Sequence, residues 1–477
     1  MRLSNQLKNQ HLLWRAAFGP MIENVNQLPD ISQKEMYQTL IKTSSTKPAV
    51  LNVTSNSIDV MYKDVMDLGA IGKLTPEQKK QFRKQSVDDL KNLNLTWMSE
   101  MINSEAQMRE KMSLFWHGHF ACRVVNIYYQ QELLDVIRQN ALGNFGDLLR
   151  KVSKTPAMLS FLNNQQNKKQ HANENFAREV MELFTMGRGN YTETDVKEGA
   201  RSFTGWGYNN KGEFLERPFL HDNGEKTFLN KTGNFTGDDI IDIIIEQKAT
   251  AKFITKKIYQ YFVNDDVDQA RIDKLAETFY QSNYDLQLLM NKIFLSDWFY
   301  EEKNIGSRIK SPVELMVGLR RLIPMKLEKP EAQLLFQKVL GQTLFYPPNV
   351  AGWPGGKNWI DSSALVFRMR LPQIFTNAES FLITPKSDDD IMMGKEGVDK
   401  IGKPNQLKVE VDWDAVVKNF NSIKKEDLQQ NLTRIILQSK NSINPNVLKK
   451  YFDNTSREGF IKTTMIELMS TPEYQLC

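Results

Sequence analysis

Apolar residues recur every three to four positions along most of the chain, whereas strict alternation of apolar and polar residues is scarce. This spacing puts apolar side chains on one face of an α-helix and predicts long amphipathic helices. The predicted helices cover residues 84–116, 173–187, 193–204, 237–264, 268–296, 311–342, 412–438 and 445–470. The pattern therefore predicts an all-α or mainly α protein, a multi-helix orthogonal bundle with at most a minor β-hairpin.

Helix starts are marked by hydroxyl residues at several points of the chain, among them Thr192, Thr236 and two positions followed by a proline. Thr75 and Ser311 each stand directly before a proline, with Gln78 and Glu314 three residues further on. The hydroxyl accepts hydrogen bonds from free backbone N–H groups, and a proline fits the first turn. Helices are therefore expected to begin at these two points.

Segments rich in glycine, proline or small polar residues divide the chain. Residues 41–60 are expected to form an exposed loop, and residues 385–411 a linker or mobile insertion. This division predicts a main helical body over residues 1–384 and a C-terminal helical portion over residues 412–477.

Composition restricts the partners and the compartment. The 477 residues include 62 basic and 57 acidic side chains, and the net charge of +5 comes from scattered residues. Nucleic-acid binding would need clustered basic residues, so it is not expected. The only two cysteines, Cys122 and Cys477, exclude a disulfide framework. There is no apolar run of membrane-spanning length and no signal-peptide pattern, so a cytoplasmic protein without a transmembrane segment is expected.

The predicted helix over residues 173–187 carries several charged side chains on one face. Glu174, Arg178 and Glu182 are spaced by four residues and can form a ladder of ion pairs, with Glu179 to one side. In one interpretation this face is solvated and the ion pairs are structural. In the other it lines a cleft, where Glu179 or Glu182 is a catalytic base or ligand and Arg178 holds an anion. Helix geometry does not distinguish the two, and Glu179 is the preferred catalytic carboxylate.

The segment FWHGHF contains two histidines, His117 and His119, two positions apart. On an extended segment both would face one side and could share a divalent metal such as zinc, iron or manganese. On a helix they would point apart. Because the preceding residues predict a helix, the histidines are expected at its end or just beyond it, where a metal site is a hypothesis.

His221 and Asp222 open a glycine-punctuated loop that also contains Lys226. A histidine–aspartate pair of this kind can perform acid–base catalysis, with the lysine binding an anion. The same residues also occur in purely structural turns. Both interpretations stay open from the sequence.

Tryptophans stand beside glycines in the long loops over residues 205–236 and 345–359. Trp206, Trp353 and Trp359 would form a stacking wall for a sugar or a peptide if they face a cleft. The alternative is that they anchor these loops to the apolar core.

Seven segments of the chain, in this order and density, resemble the bacterial "domain of unknown function 1800" family over nearly the whole length. They are LLWRAAFGP (12–20), REKMSLFWHGHFA (109–121), ALGNFGDLLRKVSKTPAMLSFLNN (141–164), NENFAREVMELFTMGRGNYTETDVKEGARSFTGW (173–206), HDNGEKTFLNKTGNFTGDDIIDII (221–244), IKSPVELMVGLRR (309–321) and GQTLFYPPNVAGWPGGKNWI (341–360). The resemblance implies a large, mainly helical bacterial protein without an established activity.

The resemblance also implies a partner. Members of this family are often encoded beside "domain of unknown function 1501" proteins, which resemble sulfatases and alkaline phosphatases and often carry export signals. Co-export of a folded pair is therefore a hypothesis. Two departures are mild: Trp14-Arg15 replaces an arginine pair, and His171-Ala172 stands where a proline is common. The second departure makes His171 a poor candidate for a shared catalytic role.

The sequence lacks nucleotide-binding, zincin and α/β-hydrolase motifs, so these enzyme classes are not leading hypotheses. Three other functions are considered as hypotheses. The first is a metal-assisted hydrolase acting on a glycan, peptide or ester. The second is a non-catalytic partner or scaffold of a sulfatase-like protein, and the third is a glycan-binding module. Convergence of the histidines of these motifs with Glu179 in one open site would favour the enzyme. Their separation would favour the partner.

Overall fold

A computed structural model describes residues 3–54, 75–377, 380–381, 405–438 and 445–477. Within these ranges helices dominate, and the predicted mainly α fold is confirmed. No helix among the described residues is long and apolar enough to cross a membrane.

The N-terminal half contains ten helices in the described ranges and two β-hairpins. The helices are α1 (Asn5–Ala16), α2 (Gln33–Ser44), α3 (Pro76–Asn103), α4 (Gln107–His119), α5 (Ile127–Asn140), α6 (Phe145–Ser153), α7 (Pro156–Phe161), α8 (Glu174–Glu179), α9 (Glu193–Ser202) and α10 (Gly237–Ile245). A π-helical turn, Val180–Thr185, continues α8. The antiparallel hairpins are β1 (Trp206–Tyr208) with β2 (Phe214–Glu216), and β3 (Lys226–Phe228) with β4 (Lys231–Gly233).

The remaining described residues form ten more helices and four short strands. The helices are α11 (Lys248–Phe262), α12 (Gln269–Gln281), α13 (Leu286–Phe294), α14 (Pro312–Leu322), α15 (Ala332–Leu340), α16 (Ser362–Asn377), α17 (Trp413–Val417), α18 (Leu428–Ile436), α19 (Pro445–Leu448) and α20 (Arg457–Met469). Antiparallel pairs join β5 (Met325–Leu327) to β8 (Val409–Val411), and β6 (Ser380–Phe381) to β7 (Asn405–Gln406).

Several long predicted helices are divided in the structure. The stretch 237–264 forms α10 and α11, which are separated at Glu246 and Gln247. The Thr250 hydroxyl, in the first turn of α11, donates to the Ile244 carbonyl at 2.7 Å and so satisfies a free acceptor at the end of α10. The stretch 311–342 is interrupted after Leu322, where Pro324 prevents continuation of a helix and β5 follows. Apolar periodicity alone did not indicate these breaks.

The helix starts at Thr75 and Ser311 are confirmed. In both, the hydroxyl accepts from the backbone N–H three residues on, and that residue's side chain accepts from the cap backbone. The reciprocal pairing satisfies two donors at each helix end.

The two segments predicted to be a loop and a linker lie partly outside the described residues, at 55–60 and 385–404. At the near end of the first, α2 runs to Ser44, and at the far end of the second, residues 409–411 form strand β8. The division into a main body and a C-terminal portion stays a prediction.

Two apolar cores hold the described helices together. The larger core packs α1, α4–α7 and the α8–α13 region around Trp116, Phe145 and Phe184. The second core packs α3 and α14–α16 against the C-terminal helices, around Trp97 and Leu319. Helix α4 contributes to both cores, with Met112 and Trp116 in the larger core and Leu114 in the second.

Candidate functional site

A cavity of about 490 Å³ lies at the C-terminal end of α4. This volume is in the range of small-molecule binding sites, about 300–1,000 Å³. Three further segments form its wall: α11, the start of α14, and the loop over residues 351–359, which we call the tryptophan loop. The polar and aromatic lining residues are His119, Lys257, Gln260, Tyr261, Asp265, Arg308, Ser311, Gln342, Trp353, Lys357 and Trp359.

The tryptophan loop lies against α4 through two glycines. A β-carbon at Gly352 would lie 2.2 Å from the carbonyl oxygen of Gly118, and the backbone of Gly352 has a φ of +80°. Only glycine allows this approach and this conformation without strain. The contact brings Trp353 next to the end of α4, where its ring lies 5.6 Å from the ring of His117.

His119 lines the cavity and is fixed by the π-helical turn. Its Nε2 lies 3.0 Å from the backbone carbonyl of Phe184, so Nε2 carries the proton and donates it. Its Nδ1 is buried and has no hydrogen-bond partner among the described residues. Burial, together with the nearby charge of Lys257, lowers the pKa of His119 well below 6.5. The imidazole is therefore neutral, with a free acceptor nitrogen.

Lys257 comes from α11 and is the unusual cation of the cavity. Its Nζ lies 3.5 Å from the carbonyl of Leu183 and 5.0 Å from the centre of the Phe253 ring. In the part of the chain that the structure describes, no carboxylate lies within ion-pairing distance of it. Burial lowers the pKa of Lys257 to about 8. The wall thus contains a partly buried ammonium group without a counter-ion.

Arg308, by contrast, is fully committed to a buried carboxylate. Its Nη1 and Nη2 donate to the two oxygens of Glu314 at 3.1 and 3.0 Å, and Lys111 donates to the same carboxylate. Burial alone would raise the pKa of Glu314, but Arg308 and Lys111 together hold it well below its usual range. This ion cluster fixes Arg308 as a rigid part of the wall.

Tyr261 packs between the ion cluster and the cavity. The guanidinium of Arg308 lies 4.4 Å from the centre of its ring, in a cation–π contact. Its hydroxyl is buried without a well-aligned hydrogen bond, and burial raises the pKa of Tyr261 well above 10. The phenol is therefore a neutral group at this wall.

The structure brings some of the predicted site residues to this cavity and leaves others elsewhere. His119, Trp353 and Trp359 line it. His117 does not: it lies behind the wall, packs against Trp97 and Trp353, and its Nε2 accepts from the backbone N–H of Phe345 at 3.0 Å. Burial lowers the pKa of His117 to about 3.

The two histidines of FWHGHF lie in the last turn of α4, within the helix and not beyond it. Their rings bond to different segments, at Phe345 and at Phe184, as expected for helical residues two positions apart. Among the described residues no three histidine, cysteine, aspartate or glutamate side chains converge as a metal-binding group. The residues present at this place do not fit the divalent metal that the sequence suggested.

The charged face of the α8 segment lies away from the lining of the cavity. Arg178 pairs with Glu174 at 3.1 Å, as predicted, but its second partner is Glu193 at 2.7 Å. Glu182 instead accepts from Arg188 and, at 2.7 Å, from the Tyr191 hydroxyl. The predicted ladder to Glu182 is absent because the π-helical turn, which begins at Val180, changes the phase of the residues after it.

Glu179, the preferred carboxylate, is partly buried, and no described residue donates a hydrogen bond to it. Burial, aided by the charge of Glu182, raises its pKa. It does not line the cavity. Segment 173–187 therefore reaches the candidate site through backbone carbonyls at Leu183 and Phe184, not through its carboxylates.

His221, Asp222 and Lys226 belong to a structural turn remote from the cavity lining. Asp222 accepts two hydrogen bonds from Arg201, at 2.8 and 3.2 Å, which lowers its pKa to about 2. The Nδ1 of His221 lies 2.9 Å from the Thr204 carbonyl. Lys226 donates to the carbonyls of Asp222 and Gly224 at 2.6 and 3.1 Å. These contacts match the structural interpretation of the loop.

Trp206 is buried and packs against Phe203 and Phe214, with Lys154 over its ring at 5.1 Å. It anchors its loop to the core, in line with the alternative given above. His171, set aside as a catalytic candidate, is exposed.

Sequence reasoning missed Lys257, Tyr261, Asp265 and Arg308. One signal was available for the first, because Lys257 stands four residues from both Phe253 and Tyr261 and so shares their helical face. A lysine on the same helical face as two aromatic residues is expected to be at least partly buried, which is unusual for a charged side chain. The other residues meet only through tertiary packing, which no local pattern shows.

A family model described as "Protein of unknown function (DUF1800)" matches residues 11–476, nearly the whole chain. No curated protein and no solved structure gives a significant match. All lining residues of the cavity fall inside the matched range.

Proposed function

We propose, for a chain that belongs to the DUF1800 family of proteins of unknown function, that the cavity beside the tryptophan loop binds a small anionic ligand. The proposal rests on one observation, which is that Lys257 has no carboxylate partner among the described residues. An ammonium group in a cavity wall without a counter-ion loses solvation and gains no ion pair, so it lowers the stability of the free protein. A ligand anion would supply the missing partner.

Three other lysines are buried and support this interpretation by contrast. One of them, Lys310, donates to the Tyr474 carbonyl at 2.6 Å. Lys111 donates to Glu314 and to the Trp14 carbonyl, and Lys226 has carbonyl acceptors. Lys257 has only the distant Leu183 carbonyl at 3.5 Å. Buried charges in proteins are usually paired, so a lysine without a carboxylate partner in a cavity wall supports an anion-binding role.

The experiment compares anion binding by the wild-type protein and by two lysine variants. Lys257→Met removes the charge at the cavity, whereas Lys256→Met removes an exposed lysine one residue away and serves as the control. Titration with acetate, sulfate and glucuronate is followed by calorimetry and by tryptophan fluorescence. We expect at least one anion to bind to the wild type and to Lys256→Met, with loss of binding in Lys257→Met. Equal binding by all three proteins, or no binding, would overturn the proposal.

A hydrolytic reaction on the bound ligand is a second candidate, favoured by the presence of a neutral histidine and a lysine of lowered pKa in one cavity. Lys257, with a pKa of about 8, can accept and donate a proton near neutral pH, whereas His119 stays a neutral hydrogen-bonding group. His119 and Lys257 would then take the roles first given to Glu179 and Glu182. The metal-assisted form is tested by the metal content of native protein beside a His117→Ala, His119→Ala double variant. Unchanged metal content in the variant would overturn a metal at FWHGHF.

A partner role is the third candidate, favoured by the separation of His117, His119 and His221, which are bonded to backbone groups in different places. The partner would be the sulfatase-like protein suggested by the family resemblance, and co-export with it belongs to this same proposal. Co-expression of the two proteins followed by size-exclusion chromatography tests it. Separate elution at concentrations well above micromolar would overturn it.

A further inference from the structure

We infer that the ligand of this cavity is an acidic sugar of one or two rings, with a single negative charge bound by Lys257. This inference rests on the proposed anion site and names its ligand class. Four features of the cavity lead to it: the charge of its wall, its open hydrogen-bonding groups, its tryptophans and its size.

The charges of the wall favour one acidic group over a strongly anionic ligand. Arg308 and Lys111 both pair with Glu314, which offsets one of their two positive charges and holds both side chains in the wall. Lys257 is a partly buried cation of the wall without a carboxylate partner among the described residues, and Lys357 is an exposed cation on the tryptophan loop. Asp265 adds a carboxylate to the same cavity. Asp265 repels any anion, and it repels a phosphate dianion more strongly than the single charge of a carboxylate or a sulfate monoester.

The open hydrogen-bonding groups match hydroxyl groups. Asp265 is an exposed acceptor that takes part in no described hydrogen bond. The Nδ1 of His119 is sealed from the cavity and is therefore not counted among its open groups. Gln342 accepts from the backbone N–H of Val313 at 3.0 Å through its side-chain oxygen. Its amide nitrogen therefore stays available as a donor. Hydroxyl groups both donate and accept, so a sugar can satisfy acceptors and donors of this kind together.

The tryptophans provide flat apolar surfaces beside these polar groups. Trp353 packs one part of its ring on His117, which in turn is held by the Phe345 N–H, so the indole has a rigid support. Trp359 lines the same cavity but is almost fully buried, so the partly exposed Trp353 offers the larger open surface. The C–H face of a sugar ring stacks on such surfaces while its hydroxyls bond at the edge. The volume of about 490 Å³ accommodates a small saccharide and not a folded chain.

The test measures affinity for four probes: glucuronate, glucose, acetate and glucose 6-phosphate. The readouts are calorimetry and quenching of tryptophan fluorescence. For the wild type we expect glucuronate to bind about tenfold or more tightly than each of the other three. In Lys257→Met the preference for glucuronate over glucose is expected to vanish. In Asp265→Asn affinity for glucuronate falls while affinity for acetate does not, because only the sugar hydroxyls contact this residue.

The outcomes distinguish failure of the acidic-sugar inference from failure of the anion site itself. If acetate or glucose 6-phosphate binds as tightly as glucuronate and depends on Lys257, the anion site stands and the acidic sugar is overturned. If no probe binds, both are overturned. Glucose 6-sulfate in place of glucuronate distinguishes a sulfated from a carboxylated sugar. Lys256→Met and thermal unfolding of every variant control for folding, and Lys257→Gln replaces Lys257→Met if the latter fails to fold.

Discussion

His119 and Phe184 are joined by a hydrogen bond of 3.0 Å from the imidazole Nε2 to the backbone carbonyl. The bond connects the end of α4 to the π-helical turn that follows α8. The next carbonyl before it, that of Leu183, is the acceptor nearest Lys257. Two consecutive carbonyls of one irregular turn thus position the histidine and the lysine of the cavity, which is consistent with the frequent presence of π-helical turns at functional sites.

Replacement of His119 by alanine tests this connection. The Phe184 carbonyl would lose its donor in a buried place, and the free energy of unfolding is expected to fall by about 1–3 kcal/mol. His119→Gln, whose amide can donate to the same carbonyl, is expected to retain part of this stability. Urea-induced unfolding followed by circular dichroism measures both. Equal stability of the alanine variant and the wild type would contradict the structural role of the bond.

The sequence allowed the helical fold and part of the candidate site to be predicted, because both depend on local patterns. Apolar periodicity identified the helices, and the aromatic-flanked motifs led to His119, Trp353 and Trp359. The π-helical turn could not be predicted. It differs from an α-helix by a change of one residue in the spacing of the backbone hydrogen bonds, and no pattern of side chains reliably indicates this change. The preference for Glu179 therefore rested on a regular helix, and the ion cluster around Glu314 depends on tertiary contacts between distant segments.

Lys111 and Lys257 should respond in opposite directions to replacement by methionine. Lys111→Met removes one partner of the buried Glu314 carboxylate. It is expected to lower the free energy of unfolding by about 3 kcal/mol, near the lower end for broken buried pairs because Arg308 remains. Lys257→Met removes a charge without a counter-ion and is expected to raise stability by about 1 kcal/mol.

Thermal and urea unfolding of the two variants, with Lys256→Met as an exposed control, measures the difference. A destabilised Lys257→Met would show that the contacts of this ammonium group in the free protein outweigh its lost solvation. That result would remove the main support for the anion site.

Gly352 is expected to be essential for the position of the tryptophan loop. Alanine at this residue would need a positive φ and would place its methyl group 2.2 Å from the Gly118 carbonyl oxygen. Backbone strain alone is expected to cost about 1–3 kcal/mol, and the loop would move away from α4. Gly118→Ala is the matched control, since a β-carbon there meets no atom within 4 Å. The near-ultraviolet circular dichroism of the tryptophans should change in Gly352→Ala and not in Gly118→Ala.

Stability is expected to decrease as the pH falls below about 6.5, in part because buried histidines resist protonation. Burial, with help from the charge of Arg15, lowers the pKa of His11 well below 6.5, and burial lowers that of His117 to about 3. The unfolded chain binds these protons first, so each histidine contributes stability that is complete above 6.5. Below that value the contribution falls by about 1.4 kcal/mol per pH unit.

The contribution of His11 to this pH dependence of stability is measured by comparing the urea unfolding of the wild type and of His11→Gln between about pH 7 and pH 5. Glutamine can still donate to the Phe299 carbonyl, which lies 3.2 Å from the His11 Nε2. The stability of the variant should depend less on pH than that of the wild type. Parallel curves would mean that His11 is protonated in the folded protein.

Ligand affinity is expected to decrease at alkaline pH through Lys257. Burial lowers the pKa of this lysine to about 8 in the free protein, and a bound anion raises it again because it favours the ammonium form. Binding therefore takes up a proton above pH 8. The affinity for glucuronate, which stays ionised, should be constant near neutral pH and fall about tenfold per pH unit above about 8. Lys257→Arg keeps its charge in this range, so it should bind with an affinity that does not change with pH. If affinity falls in the same way in both proteins, the titrating group is another residue, and Lys257 is not the cation that binds the ligand.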